Sequence, residues 1–99
     1  MSLNKEEIYA RAQEVFGCKA QLLVAAEESA ELSAAVSRML NGKADLEEVV
    51  LEMADVMIAI EQISYIFDLD EDIEKAKEKK LRRKAKKHSR RSFEQDNRD

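Results

Sequence analysis

Two short acidic patterns in this chain have the residue types and spacing to gather around a cation. One reads Glu27-Glu28-Ser29-Ala30-Glu31, the other Glu52-Met53-Ala54-Asp55. A spacing of three puts Glu28 and Glu31 on one face of a helix, and does the same for Glu52 and Asp55. Glu27 joins from the adjacent face. An acidic pair at this spacing most often marks a solvated helix surface. Here the neighbours are apolar. Val56, Ala59 and Ile63 flank Glu52, Ala59 and Ile66 flank Asp55, and Glu28 borders a stripe of Ala25, Leu32, Val36 and Met39. A carboxylate in such a setting is costly unless a cation or hydrogen bonds compensate. Mg²⁺ suits this donor set, because it takes hard oxygen ligands and completes its shell with waters and substrate phosphates. A nucleoside triphosphate supplies those phosphates. The metal would neutralise the polyphosphate and acidify an attacking water, and Glu27 or Glu28 would take the proton.

These carboxylates need helices to carry them. Asn4 with Glu7 forms a capping-box pattern, which predicts a first helix from about Lys5 to Val15, ending near Gly17. A second helix is expected from about Lys19 to Leu40, stopped by Asn41-Gly42. Asp45 with Glu48 repeats the capping pattern and opens a third helix to about Phe67. From Val49 onward this helix is apolar almost all round, which predicts burial in the middle of the fold. Asp68-Leu69-Asp70 is the next break. Asp70 is the expected cap of a fourth helix, with Glu71 and Asp72 in its first turn and its end near Lys87. The expectation is one helical domain over residues 1–87 and a frayed, flexible tail over 88–99. Both acidic pairs lie roughly a dozen residues from the Asn41-Gly42 turn, so an antiparallel pairing of the second and third helices brings them to one depth.

Composition agrees with an all-α reading. The 99 residues include no Pro and only two Gly, with 44% hydrophobic and 38% charged residues. Few breakers favour long helices. A chain this short buries a modest core alone, so burial completed against another subunit is expected. A single cysteine, Cys18, forms no internal disulfide and suits a reducing cytoplasm. Glu52, Asp55 and Glu61 interrupt the most apolar stretch, and the N-terminus has no signal-peptide pattern, so no membrane association is expected. His88 has no partner at metal-ligand spacing. Asp68, Asp70 and Asp72 imitate the start of a calcium loop, but Ile73 stands where Gly is required and Lys79 where Glu is.

The net charge of −4 conceals an asymmetry. Residues 1–74 carry 17 acids and 5 bases, whereas residues 75–91 carry 11 bases and 1 acid. The basic run admits a different function, a non-catalytic helical module that binds nucleic acid. It has no aromatic residues for base stacking, so nucleic acid is not the expected partner.

The motifs together resemble the MazG-like nucleotide pyrophosphohydrolases. QLLVAAEESAELSAAVSRM, residues 21–39, resembles the family's EExxE helix. LEMADVMIAIEQI, residues 51–63, resembles its ExxD helix in the short, phage-type members. KEKKLRRKAKK, residues 77–87, resembles the basic segment that follows. The resemblance implies a four-helix, all-α fold with two central antiparallel acidic helices, assembled as a homodimer or homotetramer. It implies Mg²⁺, with Mn²⁺ as an alternative, held by Glu28, Glu31, Glu52 and Asp55, with Glu27 as a further ligand or the base. It implies hydrolysis of nucleoside triphosphates, deoxynucleotides foremost, to a monophosphate and pyrophosphate. By the same resemblance Gln21 and Phe16 fall near the base or sugar, and Lys80 and Arg83, which share a helix face, contact phosphates. Lys77 and Lys84 compete for that role, and Lys77 stands where many relatives have Asn. Phosphoribosyl-ATP pyrophosphohydrolase shares the fold and is the alternative enzyme.

Overall fold

The computed structural model describes residues 3–96, with side chains described through residue 91. Among these residues the chain is all-helical, with three elements in place of the four expected. They are α1 (Lys5–Leu40), α2 (Leu46–Phe67) and α3 (Asp70–Asp96). The chain divides into two compact units, Met1–Asp68 and Leu69–Asp99. The first unit holds α1 and α2; α3 belongs to the second.

Local chemistry explains the helix boundaries. Asn4 Oδ1 accepts from the Glu7 amide at 3.2 Å, and Asp45 Oδ1 from the Glu48 amide at 3.0 Å. Each satisfies one amide that a helix start leaves without a partner. At the end of α1 the Gly42 amide donates to Met39 O at 3.0 Å and the Lys43 amide to Arg38 O at 2.8 Å. These are the paired bonds of a Schellman turn, which needs a left-handed residue, and Gly42 has φ 72°. Asp68 ends α2 with φ 55°. The expected cap, Asp70, is instead the first residue of α3, and the Ile73 amide donates to Leu69 O at 2.8 Å. α3 stays helical to Asp96, beyond the expected end at Lys87; residues 97–99 lie outside the described residues.

The break at Gly17 sets the architecture of the first unit. Its φ of 84° and ψ of 165° lie outside helical space, in a region that glycine alone adopts freely. At 1.5 Å per residue, α1 as a straight rod would be about 54 Å long against about 33 Å for α2. Its first turns would then overshoot α2. Instead the Tyr9 hydroxyl donates to Glu61 at 2.5 Å, Lys5 lies 3.5 Å from Glu61, and the Tyr9 and Tyr65 rings sit 6.3 Å apart. Near the other end of α2, Arg38 pairs with Glu48 at 2.6 Å. The chain therefore folds back at Gly17. Residues 5–16 run along α2 in its own direction, and residues 18–40 run against it. Gln21 Nε2 donates to Ala12 O at 3.3 Å and ties the two arms together across the break.

The core of this unit is small. Tyr9, Ala35, Val49 and Ala59 are its buried apolar residues, and no described side chain is completely enclosed. The sequence predicts α2 buried on all sides; the structure corrects this. Leu51 is 63% exposed, Met57 60% and Val50 53%. Within the first unit the two arms of α1 cover one part of α2. Met53 and Met57 are exposed too.

Candidate metal centre

The antiparallel pairing of residues 18–40 with α2 brings both acidic patterns to one place. Carboxylate oxygens of Glu28, Glu31 and Glu52 lie within 4.8 Å of one another. Asp55 is exposed and is not in this group, yet its charge is felt by both Glu28 and Glu52. Glu27 is exposed on the adjoining face and stays outside the cluster. Of the residues expected to act on metal or water, three converge, one stands beside them, and one points from the next face.

The electrostatics record the crowding. The Glu28 carboxyl is held above the usual carboxylate range. Loss of water comes first, then the charges of Glu31 and Asp55, a hydrogen bond with Glu31, and the charge of Glu52. Glu52 is raised for the same leading reasons, in part offset by the nearby Arg38 guanidinium. One oxygen on each, Glu28 Oε2 and Glu52 Oε2, is shut off from water and has no hydrogen-bond partner in the protein. Buried acceptors without partners are rare, because each forfeits its hydration.

The donor set fits a hard divalent cation. Mg²⁺ binds oxygen at 2.0–2.1 Å, so opposite ligands stand about 4.2 Å apart. The three oxygens lie within 4.8 Å of one another, close to that span. A cation there would give the two orphaned oxygens a partner and remove the repulsion that raises Glu28 and Glu52.

A cleft of about 350 Å³ adjoins the cluster, lined by Glu31, Glu52, Arg38, Glu48, Ala34 and Leu51 among others. Arg38 lines this cleft and pairs with Glu48 at 2.6 Å. Its partner Glu48 is the acidic residue of the capping pattern, and its carboxylate reaches across to the guanidinium. The available signal was position: Arg38 lies seven residues beyond Glu31, two turns along the same face.

Of the expected substrate contacts, Gln21 and Phe16 lie in the first unit and Lys80 and Arg83 in the second. Gln21 is buried, and its amide is spent on Ala12 O. Phe16 is 68% exposed beside the Gly17 break. Lys80 and Arg83 stand exposed on α3, in the second unit. Searches of family models, curated proteins and solved structures returned no match to this chain. No helix among the described residues is long and apolar enough to cross a membrane.

Proposed function

We propose that this chain is a Mg²⁺-dependent nucleotide pyrophosphohydrolase that works as a homo-oligomer. The observation that carries the reading is the convergence of Glu28, Glu31 and Glu52, with two oxygens buried and without partners. Three acids drawn together at such cost are better explained by a cation than by the fold, which gains nothing from their repulsion. When bound, Mg²⁺ supplies charge neutralisation for a polyphosphate and an acidified water.

The chain's own residues do the rest. Glu31, Glu52 and Glu28 hold the cation, with Asp55 beside them. Arg38 faces the cleft with a planar, permanently charged donor fork suited to phosphate oxygens. Water adds across the bond between the α- and β-phosphates, its proton passes to a carboxylate of Glu27 or Glu28, and pyrophosphate leaves with the bridging oxygen. The open apolar surface of α2, with Leu51, Met57 and Ile58, is what a subunit contact would cover.

The test is pyrophosphate release from a panel of ribo- and deoxyribonucleoside triphosphates, with and without Mg²⁺. The wild type releases pyrophosphate only with the metal. Glu52→Gln loses at least about 100-fold in kcat/KM, the scale of removing a group that stabilises transition-state charge, and Arg38→Gln loses about tenfold. Release that survives Glu52→Gln would refute the assignment.

A further inference from the structure

We infer that α3 is a sequence-independent arm for double-stranded DNA, which it grips through the phosphate backbone. This is separate from the acidic cluster that carries the hydrolase reading, although Lys80 and Arg83 on this helix are also the phosphate contacts that the family resemblance implies.

The first observation is charge density. Residues 75–91 carry 11 bases and 1 acid on one continuous helix. At 1.5 Å per residue this segment is about 25 Å long, one cation per about 2.3 Å of axis. Duplex DNA presents one phosphate per about 1.7 Å. The spacings are commensurate. The single acid, Glu78, is already paired with Arg82.

The second observation is exposure. Every side chain from Lys75 to Arg91 is exposed. Lys75, Lys79, Arg82, Arg83 and Lys86, with Glu78 among them, line one predominantly basic hollow along the helix. Of these bases Lys77 pairs with Glu74 and Arg82 with Glu78, and a net local charge of this size raises the energy of the isolated helix through self-repulsion.

The third is the distribution around the axis. At 100° per residue, the 11 bases cover an arc of roughly 220°. The remaining strip holds Leu81 and Ala85, but also Glu74 and Glu78. A helix that lies in a membrane needs a broad apolar face opposite its basic one, and two apolar residues among two acids do not make one. A wide basic arc suits a groove, where phosphates flank the helix on both sides. The major groove of B-DNA is about 12 Å wide and admits an α-helix. The absence of aromatics across 75–91 argues against single strands, whose binding relies on base stacking.

The experiment is fluorescence anisotropy of a labelled 20-base-pair duplex of arbitrary sequence with the full chain, over 50–200 mM NaCl. A matched single strand and vesicles of phosphatidylserine with phosphatidylcholine serve as the other arms. The expected result is duplex binding that weakens on the order of 100-fold across that salt range, equivalent to about four or five phosphates neutralised. The triple variant Lys79→Gln, Arg83→Gln, Lys86→Gln keeps good helix formers, and circular dichroism checks that the helix remains. It weakens duplex binding at least tenfold, whereas Glu52→Gln binds as the wild type. No duplex binding at 50 mM NaCl, tighter binding to the single strand or the vesicles, or undiminished affinity in the triple variant would each overturn the inference.

Discussion

The two units of this chain treat charge in opposite ways. The first unit draws like charges together. Glu28, Glu31 and Glu52 come from two helices and meet within 4.8 Å, and one oxygen each of Glu28 and Glu52 is shut off from water. The second strings like charges along one helix and leaves all of them in solvent. Convergence raises the energy of the ionised groups at a point and selects a small ion of high charge. Dispersion spreads a weaker field along a line and selects an extended polyanion. The number of charges is not the distinguishing feature; what differs is whether helix packing gathers them.

That contrast depends on the backbone that does the gathering, so the largest stability effect is expected at Gly17. A Cβ there meets nothing within 4 Å, so crowding is not the issue. The cost is conformational, since φ 84° with ψ 165° is strained for any L-side chain. Gly17→Ala should destabilise the first unit by about 1–3 kcal/mol in urea unfolding and loosen the Tyr9–Glu61 contact. A variant as stable as wild type would mean that residues 5–16 do not need to fold back.

A smaller effect is expected from the cap that starts α2. Asp45→Ala should cost about 1 kcal/mol by the same measurement. It removes the acceptor of the Glu48 amide and frees the helix end that holds Glu48 against Arg38. Loss on α3 should be slighter still. Glu78→Gln breaks an exposed pair with Arg82, and a change above about 1 kcal/mol would contradict the view that this helix holds its charges loosely.

The pH dependence sharpens the comparison. Glu28 and Glu52 are raised in the folded chain, so between the ordinary carboxylate range and their raised values the native state binds more protons than the unfolded one. Their contribution to stability is present at low pH and is lost as pH rises through the raised values. Without divalent metal, Glu52→Gln should therefore raise Tm at pH 7 and leave a smaller gain at pH 4.5. Tyr9 acts at the other extreme. Its hydroxyl is pushed up to about 12, first by the hydrogen bond to Glu61. The stability this bond adds is intact below pH 10 and is lost as pH rises toward 12, and Tyr9→Phe should remove that dependence.

Much of this was legible in the residues. The caps at Asn4 and Asp45, the stop at Gly42 and the break at Gly17 follow from local backbone chemistry, which is written in a few adjacent residues. The meeting of Glu28, Glu31 and Glu52 followed from spacing and a shared depth below one turn. What escaped the sequence was non-local. Gly17 announces a break but not its direction, so the return of Tyr9 to Glu61 was not predicted. An apolar helix such as α2 reads as buried whether its cover comes from its own chain or from another. The bond from Gln21 Nε2 to Ala12 O is likewise non-local, because the break at Gly17 brings the two arms together. The continuation of α3 to Asp96 was missed because a polar, highly charged run looks the same as a frayed end.

The central claim is that the converging carboxylates form a cation site, and Mn²⁺ titration followed by electron paramagnetic resonance tests it most directly, since the free ion gives a signal that binding broadens. Saturable binding in the wild type, competed by Mg²⁺ and weakened at least tenfold in Glu52→Gln, is the predicted result. Absence of saturable binding by the folded protein, or binding that Glu52→Gln leaves unchanged, would contradict it.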